Sequence, residues 1–409
     1  MTTENLFKKI SFIIPVYNKE KYLKSCLSSI YKLTKYYKFD QEFEVLAIND
    51  HSSDNSLKIL NEWKKKNINL KILNTKKNYG VSFARNLGIK KCKGEYIFFV
   101  DADDFIRINA FKKAYEIIKK NQSKDIFLFY SEINKKKYNR IDNNNSIDES
   151  VRSYSSSLLK INNSFSSWNV WKMIVRKKFL IKNKIFFKNL FQFEDWVFIA
   201  TIISKHPKYL LINKFVYSYR LTNFYSEGKT TPKSLYNALK TYNYLRKLKK
   251  KLKYIAINKM IANIKMIIYI DLFTLKKNKI LKYKKNYPSL NHIFSKNLNA
   301  QDKINSIKID PSNKIIIFCA GRFGRAISFK LKDFRQKTKI IIDNNSYYKN
   351  FKINNFIVKS SAYLSKNYKK LKDYKFLICH LNTKVVRSIT SSIINTRLNK
   401  QQIIKINDA

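Results

Sequence analysis

The chain has 409 residues, 44% of them hydrophobic, and a formal charge of +55 from 83 Lys and Arg against 28 Asp and Glu. That apolar content excludes a disordered polymer and is material for two or three cored domains. The charge directs attention to phosphorylated substrates or an anionic bilayer surface, although Lys is enriched everywhere while only 6 Gly and 5 Pro occur, so much of it reads as general compositional bias.

From residue 10 to residue 130, short β-rich runs alternate with amphipathic stretches. The runs are Ile10 to Pro15, Phe43 to Ile48, Leu70 to Leu73, Tyr96 to Val100 and Ile126 to Tyr130; Lys21 to Lys32 and Ser56 to Lys66 carry helical periodicity. This rhythm predicts an α/β domain built on a parallel sheet. Residues 131 to 165 are polar and aperiodic and read as an excursion. Helical and strand signals resume from Trp168 to about Arg220, and residues 233 to 287 read as long basic amphipathic helices. After Pro288 comes a polar linker, and from Lys314 a second, small α/β unit begins. The expected division is 1–230, 231–300 and 301–409, with no internal repeat.

Glycine is scarce enough to be informative. Gly80, Gly88 and Gly94 fall in one fifteen-residue window, and Gly321 and Gly324 in another. A chain so poor in glycine keeps it where a positive φ or a close backbone approach leaves no substitute. In the first window's half of the chain, four strand ends carry polar residues that a parallel sheet would gather at its carboxyl edge, where open α/β folds bind ligands. They are Pro15-Val16-Tyr17-Asn18, then Asn49-Asp50-His51-Ser52-Ser53-Asp54, then the Asn78 to Gly88 segment with Arg85 and Asn86, and finally Asp101-Ala102-Asp103-Asp104. Three carboxylates delivered to one rim are costly unless a cation neutralises them, and oxygen ligands of this kind suit Mg²⁺ or Mn²⁺ shared with a diphosphate.

These ordered motifs resemble the inverting family 2 glycosyltransferases of the GT-A fold, over about residues 8 to 225. The resemblance implies that Pro15, Tyr17 and Asn18 lie against the nucleobase of a nucleotide-sugar donor and that Asp50 hydrogen-bonds it, Asn49 standing where many relatives have a first Asp. It implies that Arg85 lies beside the donor diphosphate. Asp101-Ala102-Asp103 matches the DxD signature, Asp101 touching donor and metal and Asp103 ligating the metal. Phe191 to Phe198, preceded by Trp171-Lys172 and followed by Tyr217-Ser218-Tyr219-Arg220, resembles the acceptor motif, with Asp195 as catalytic base and Glu194 and Trp196 on the acceptor side. The implied reaction transfers a hexosyl or N-acetylhexosaminyl group, from a UDP-sugar by family frequency, to a hydroxyl of a glycan or lipid-linked acceptor in capsule or lipopolysaccharide assembly.

Plainer readings stand beside each of these. The Asp cluster could be a solvated turn, Asp195 a helix N-cap, Arg85 a surface helix residue, Tyr17 a packing aromatic, and Trp168, Trp171 and Trp196 core or rim packing. His51, His206, His292 and His380 show no metal spacing. Residues 246 to 253 read as a solvated helix face or as a membrane-facing basic helix suited to a lipid-linked acceptor. In the last unit, Ile315 to Phe318, Gly321, Gly324 and then Lys339 to Asp343 resemble a Rossmann-type half. Cys319 replaces its first glycine, so a second nucleotide site competes with a packing or oligomerisation role.

Cys26, Cys92, Cys319 and Cys379 form no C-x-x-C pair, which fits a reducing compartment. The run that follows Lys8 and Lys9 is too short for a signal peptide, and the most apolar long stretch, Tyr254 to Leu275, is interrupted by Lys259, Lys265 and Asp271. A cytoplasmic protein, possible peripheral membrane contact included, is the expectation. Two functions from other classes compete. A nucleic-acid binder would interleave Arg with stacking aromatics, whereas the basic residues here are mostly scattered Lys. A sugar-nucleotide nucleotidylyltransferase would want a glycine-rich loop with Arg directly after the first strand, and Pro15-Val16-Tyr17-Asn18 is not that loop.

Overall fold

The computed structural model describes residues 10–37, 42–66, 69–134, 152–154, 169–190, 192–220, 232–251, 255–273, 277–295, 314–318, 340–343, 352–353, 356–378, 383–396, 399 and 402–405. Gly321, Gly324, Cys319, Cys379, His380, Trp168, the residues around Lys8 and Lys9, and most of the 131–165 excursion lie outside the described residues. The chain divides into two compact units, Met1–Glu227 with Lys240–Ile261, and Gly228–Leu239 with Ala262–Ala409.

The first unit is built on a nine-stranded sheet of order β3-β2-β1-β4-β8-β6-β9-β5, with β7 added against β9. Its parallel half runs β1 (Ile10–Val16), α1 (Glu20–Tyr31), β2 (Phe43–Asn49), α2 (Ser56–Lys66), β3 (Leu70–Asn74), α3 (Val81–Lys91) and β4 (Tyr96–Phe99). All seven residues of β2 and all four of β4 are buried. Strands covered on both faces need near-continuous apolar runs rather than alternation; YIFF supplies one in β4, while β2 buries Glu44 among hydrogen bonds from Ser11 Oγ and the Lys93 and Gly94 amides. The mixed half comprises β5 (Phe105–Ile106), α4 (Ile108–Lys120), β6 (Ile126–Asn134), β7 (Arg152–Tyr154), β8 (Met173–Arg176), α5 (Lys177–Lys182), α6 (Glu194–Ile203) and β9 (Tyr209–Arg220). Here β8 runs antiparallel between β4 and β6. The excursion expected from residue 131 therefore starts later, since β6 continues to Asn134 on β9, and Arg152–Tyr154 pairs with that same strand.

One core of this unit gathers Phe12, Phe43, Phe98, Phe111 and Tyr115 between the sheet and α4. Each such ring removes on the order of 150–250 Å² from water, so this aromatic layer is a large share of the apolar burial beneath the parallel strands. Helix α3 packs on β1 at Gly88. An ideal Cβ there would meet Ile13 Cγ2 at 2.4 Å, so the glycine is kept for a close approach and not for its φ.

Three helices follow, α7 (Pro232–Lys251), α8 (Ile255–Phe273) and α9 (Lys277–Asn286). No helix among the described residues is long and apolar enough to cross a membrane. The second unit holds a six-stranded sheet of order β12-β13-β11-β10-β14-β15. Its strands are β10 (Lys314–Phe318), β11 (Ile340–Ile342), β12 (Lys352–Ile353), β13 (Phe356–Lys359), β14 (Tyr374–Ile378) and β15 (Ile403–Lys405), all parallel except the β12–β13 pair. The helices α10 (Ala362–Asn367) and α11 (Thr383–Ile394) accompany them, with Ile316, Phe318, Ile342, Phe376 and Ile393 in a separate core. Asp343 follows β11 directly, its amide donating to Lys359 O at 2.9 Å.

Candidate active site

The loops after β1 and β2 are tied to each other at the sheet edge. Asn18 and His51 both take left-handed backbone (φ 51° and 61°), a region where Asn is tolerated better than most residues. Asn18 Oδ1 accepts from Ser53 N at 2.8 Å, Asn18 N donates to Ser52 Oγ at 3.1 Å, and Asp50 N donates to Val16 O at 2.8 Å. Asn49 donates through Nδ2 to Asn74 Oδ1 and accepts from Ser52 N. A carboxylate cannot make that donation, so Asn49, the departure from the usual first Asp, has a structural use here. Pro15 is half-buried, and the Tyr17 ring stands 45% exposed at the rim.

Asp50 is 3% exposed and accepts from Tyr79 N at 3.0 Å and from Gly80 N at 2.7 Å. It thereby fixes the turn into α3, where Gly80 takes φ 90°, a conformation that strains any residue with a Cβ. The carboxylate expected at a nucleobase is thus also the anchor of the loop that starts the next helix.

Helix α3 carries Arg85 into the interior, where it is 3% exposed. Its Nη1 donates to Asp195 Oδ1 at 2.7 Å and to Glu194 Oε1 at 3.1 Å, and its Nη2 donates to Asp101 Oδ1 at 2.9 Å. The guanidinium carbon lies 5.2 Å from the centroid of Phe187, a ring stacked on Phe198 at 3.9 Å. Burial works against the charge of Arg85, but Asp195, Asp101 and Glu194 outweigh it and hold the group cationic. Asn86, its neighbour, grips the backbone of Phe187 from both sides, accepting from N at 2.8 Å and donating to O at 2.9 Å.

Asp195 is the second residue of α6, and it does not act as a cap. Its Oδ2 accepts from Val170 N at 3.2 Å, while Oδ1 belongs to Arg85. Burial raises the Asp195 carboxyl above the ordinary range, against the pull of Arg85. Burial and the adjacent Asp195 push Glu194 up to about 8. Just before them Phe193 takes φ 66°, an outlier for a bulky residue that typically costs about 1–3 kcal/mol and clusters at functional positions. Trp196 is half-buried with its ring edge-on to Phe193.

The Asp-rich turn after β4 is held from three directions. Lys19 Nζ pairs with Asp103 Oδ2, Arg85 with Asp101, and Tyr217 donates its hydroxyl to Asp104 Oδ2 at 2.7 Å while accepting from Asp101 N at 3.0 Å. Arg220 N completes Asp104 at 2.7 Å. Burial and the charge of Asp101 push the Asp104 carboxyl up to about 8. Tyr217 is itself stacked on Trp171 at 4.6 Å, next to the Val170 amide that holds Asp195. Asp101 and Asp195, ninety-four positions apart, therefore belong to one network and share the guanidinium of Arg85.

Among the described residues no group of three His, Cys, Asp or Glu side chains forms a complete cation cage. The carboxylate oxygens of the DxD turn are of the chemistry a hard divalent ion takes when it is held through one or two carboxylates and shared with substrate phosphates, although Lys19 and Arg85 already pair with them. Asp103, with 17% of its side chain exposed, and Asp101, with 26%, are the groups that would hold it.

Lys19 and the Val170 amide are not among the candidates read from sequence, and Tyr217 enters only within the Tyr217-Ser218-Tyr219-Arg220 segment that follows the acceptor motif. Lys19 follows the Pro15-Val16-Tyr17-Asn18 turn directly, and its adjacency to that turn was the available signal. Gly321 and Gly324 lie outside the described residues, so the proposed second nucleotide site is represented by Asp343 alone.

Residues 11–187 match the family model described as glycosyl transferase family 2. Among curated proteins, the chain is 43% identical over 116 residues to a poly(ribitol-phosphate) beta-glucosyltransferase of Bacillus spizizenii, covering 28% of this chain and 18% of that protein. It is 29% identical over 226 residues to the glycosyltransferase GlyA of Streptococcus pneumoniae, covering 52% of this chain and 30% of the other. The chain thus spans well under half the length of these two relatives. Among solved structures, residues 1–349 of Staphylococcus aureus TarS in complex with UDP-GlcNAc superpose with a TM-score of 0.50 at 23% identity, over 72% of this chain and 83% of that one, a likeness that speaks for the fold alone. With the family match and the sheet order in agreement, residues 11–187 form a family 2 glycosyltransferase domain of the GT-A type.

Proposed function

We propose that this protein transfers a sugar from a nucleotide-sugar donor, a UDP-sugar by preference, to a hydroxyl of a glycan or lipid-linked acceptor, with inversion at the anomeric carbon. The observation that carries the reading is the single network in which Arg85 joins Asp101, on the DxD turn, to Asp195, at the start of α6. An in-line displacement needs a donor-side anchor and an acceptor-side base that face one another across a sugar, and these two carboxylates are held to one another by one side chain.

In this reading Pro15, Tyr17 and Asn18 line the base pocket and Asp50 contacts the base, Asp101 and Asp103 face the diphosphate, and Asp195 takes the proton of the acceptor hydroxyl as it attacks. Burial makes Asp195 a stronger base than a solvated carboxylate. A positioned base of this sort typically contributes about 10²–10⁴ in rate. Glu194 and Trp196 form the acceptor side. Bound Mn²⁺ or Mg²⁺ would supply Lewis-acid neutralisation of the departing diphosphate, and Lys19, held on Asp103 by a partner charge that outweighs its burial, adds positive charge at the same place.

The relatives named poly(ribitol-phosphate) transferases and the +55 charge together favour an anionic cell-surface polymer as acceptor class, with the work done on the inner membrane face and the basic helices from residue 231 to about 300 as the contacting segment. Thermal-shift screening against a panel of UDP-, GDP- and ADP-sugars with and without Mn²⁺ tests this directly. A Mn²⁺-dependent rise with a UDP-sugar is expected, and no shift with any nucleotide sugar would refute the assignment.

A further inference from the structure

The motif resemblance puts Arg85 at the donor diphosphate, and its surroundings point elsewhere. It is buried, and both terminal nitrogens are occupied by the chain's own carboxylates at 2.7, 2.9 and 3.1 Å. Its guanidinium carbon lies over the ring of Phe187 at 5.2 Å from the centroid, and Asn86 clamps that residue's backbone. The carboxylate contacts engage three of the five guanidinium N–H donors, and a diphosphate that took any of the three would leave a largely enclosed carboxylate short of its compensating charge, which is costly.

We infer that Arg85 is a positioning residue: its fork fixes the Asp195 carboxylate in place against Asp101, so that base and donor-side anchor keep one spacing. The inference rests on the reading of Asp195 as the base. Two independent contacts hold that carboxylate, Arg85 on Oδ1 and the Val170 amide on Oδ2, and together they leave it little rotational freedom. The planar guanidinium is suited to the task because its donors form a rigid fork, whereas a Lys ammonium is a point charge on a flexible stem that cannot bridge Asp101 and the 194–195 pair in a defined geometry. A misplacement of about 1 Å in such a constellation can lower turnover about 10²-fold.

The experiment compares Arg85→Ala, Arg85→Lys and Asp195→Asn in the full chain, with UDP and Mn²⁺ as the calorimetric probe and sugar release from the donor series found by thermal shift as the rate assay. Arg85→Ala should lose about 10²-fold or more in kcat while UDP–Mn²⁺ affinity stays within about threefold, and added guanidinium, but not methylammonium, should restore part of the rate. Arg85→Lys, which keeps the buried charge and guards against a folding failure, should show the same split with a smaller kcat loss. A fall in UDP–Mn²⁺ affinity that matches the fall in rate would make Arg85 a donor ligand and overturn the inference, as would a kcat near that of the parent. Full turnover in Asp195→Asn would instead remove the base assignment itself, whatever Arg85 does.

Discussion

Gly88→Ala connects the packing of α3 to the chemistry of Arg85 three residues earlier on the same helix face. The added methyl would sit 2.4 Å from Ile13 Cγ2, 3.0 Å from Cδ1 and 3.2 Å from Cγ1, and Ile13 is wholly buried in β1. Cγ2 is fixed by χ1, so it cannot swing away like the end of a flexible chain. Restoring a carbon–carbon contact of about 3.5 Å requires the helix or the strand to yield by about 1 Å. Overpacking of this degree costs about 1–3 kcal/mol, and each kcal/mol lowers Tm by roughly 2–4 °C in a unit of this size. Because Arg85 rides on the displaced helix, turnover should fall about 10²-fold. Differential scanning calorimetry and the transfer assay read the two effects, and Ile13→Ala, which deletes all three clashing atoms, provides the cycle. The double variant should be more stable than the sum of the two single costs by at least about 0.5 kcal/mol. Strict additivity, or a Gly88→Ala protein with parental Tm and rate, would refute the packing argument.

Two further outcomes follow from the buried acids. Tyr217→Phe deletes a hydroxyl that serves both Asp104 Oδ2 and the Asp101 amide; chemical denaturation should register a loss of about 1–3 kcal/mol, and an unchanged midpoint would remove Tyr217 from the support of the turn. Glu194 keeps its proton in the folded state up to about 8 but loses it near 4.5 when unfolded, so between those values the native state binds more protons and stability falls as pH rises. The melting temperature of Glu194→Gln should therefore decline less than that of the parent between pH 5 and 8, as judged by scanning fluorimetry at matched ionic strength, and parallel curves would contradict it.

The parallel half of the sheet was legible because each strand is a run of apolar residues ending in polar ones, and parallel topology sends those ends to one edge. That logic put Asp50, Asp101 and Asp103 together at one edge, and the scarcity of glycine separately pointed to a close approach such as the one at Gly88. It did not reveal that Arg85 turns inward, because its partners lie 16, 109 and 110 positions away and a buried guanidinium on a helix leaves the same local pattern as an exposed one. Lys19 was hidden in a chain where Lys is everywhere, and Tyr217 stood out only as part of the Tyr217-Ser218-Tyr219-Arg220 segment after the acceptor motif. The left-handed Phe193 was equally invisible, since strain at a bulky residue is imposed by the tertiary structure around it. Strand pairing of Arg152–Tyr154 with β9 is likewise a long-range choice that a polar three-residue segment cannot announce.

The most direct measurement is the Asp195→Asn substitution, which keeps the shape of the side chain, assayed at once for sugar transfer and for calorimetric binding of UDP with Mn²⁺. Transfer should drop by about 10²–10⁴ while binding stays near that of the parent protein. Turnover that survives the substitution, or binding lost in step with it, would contradict a carboxylate at position 195 acting as the acceptor's base.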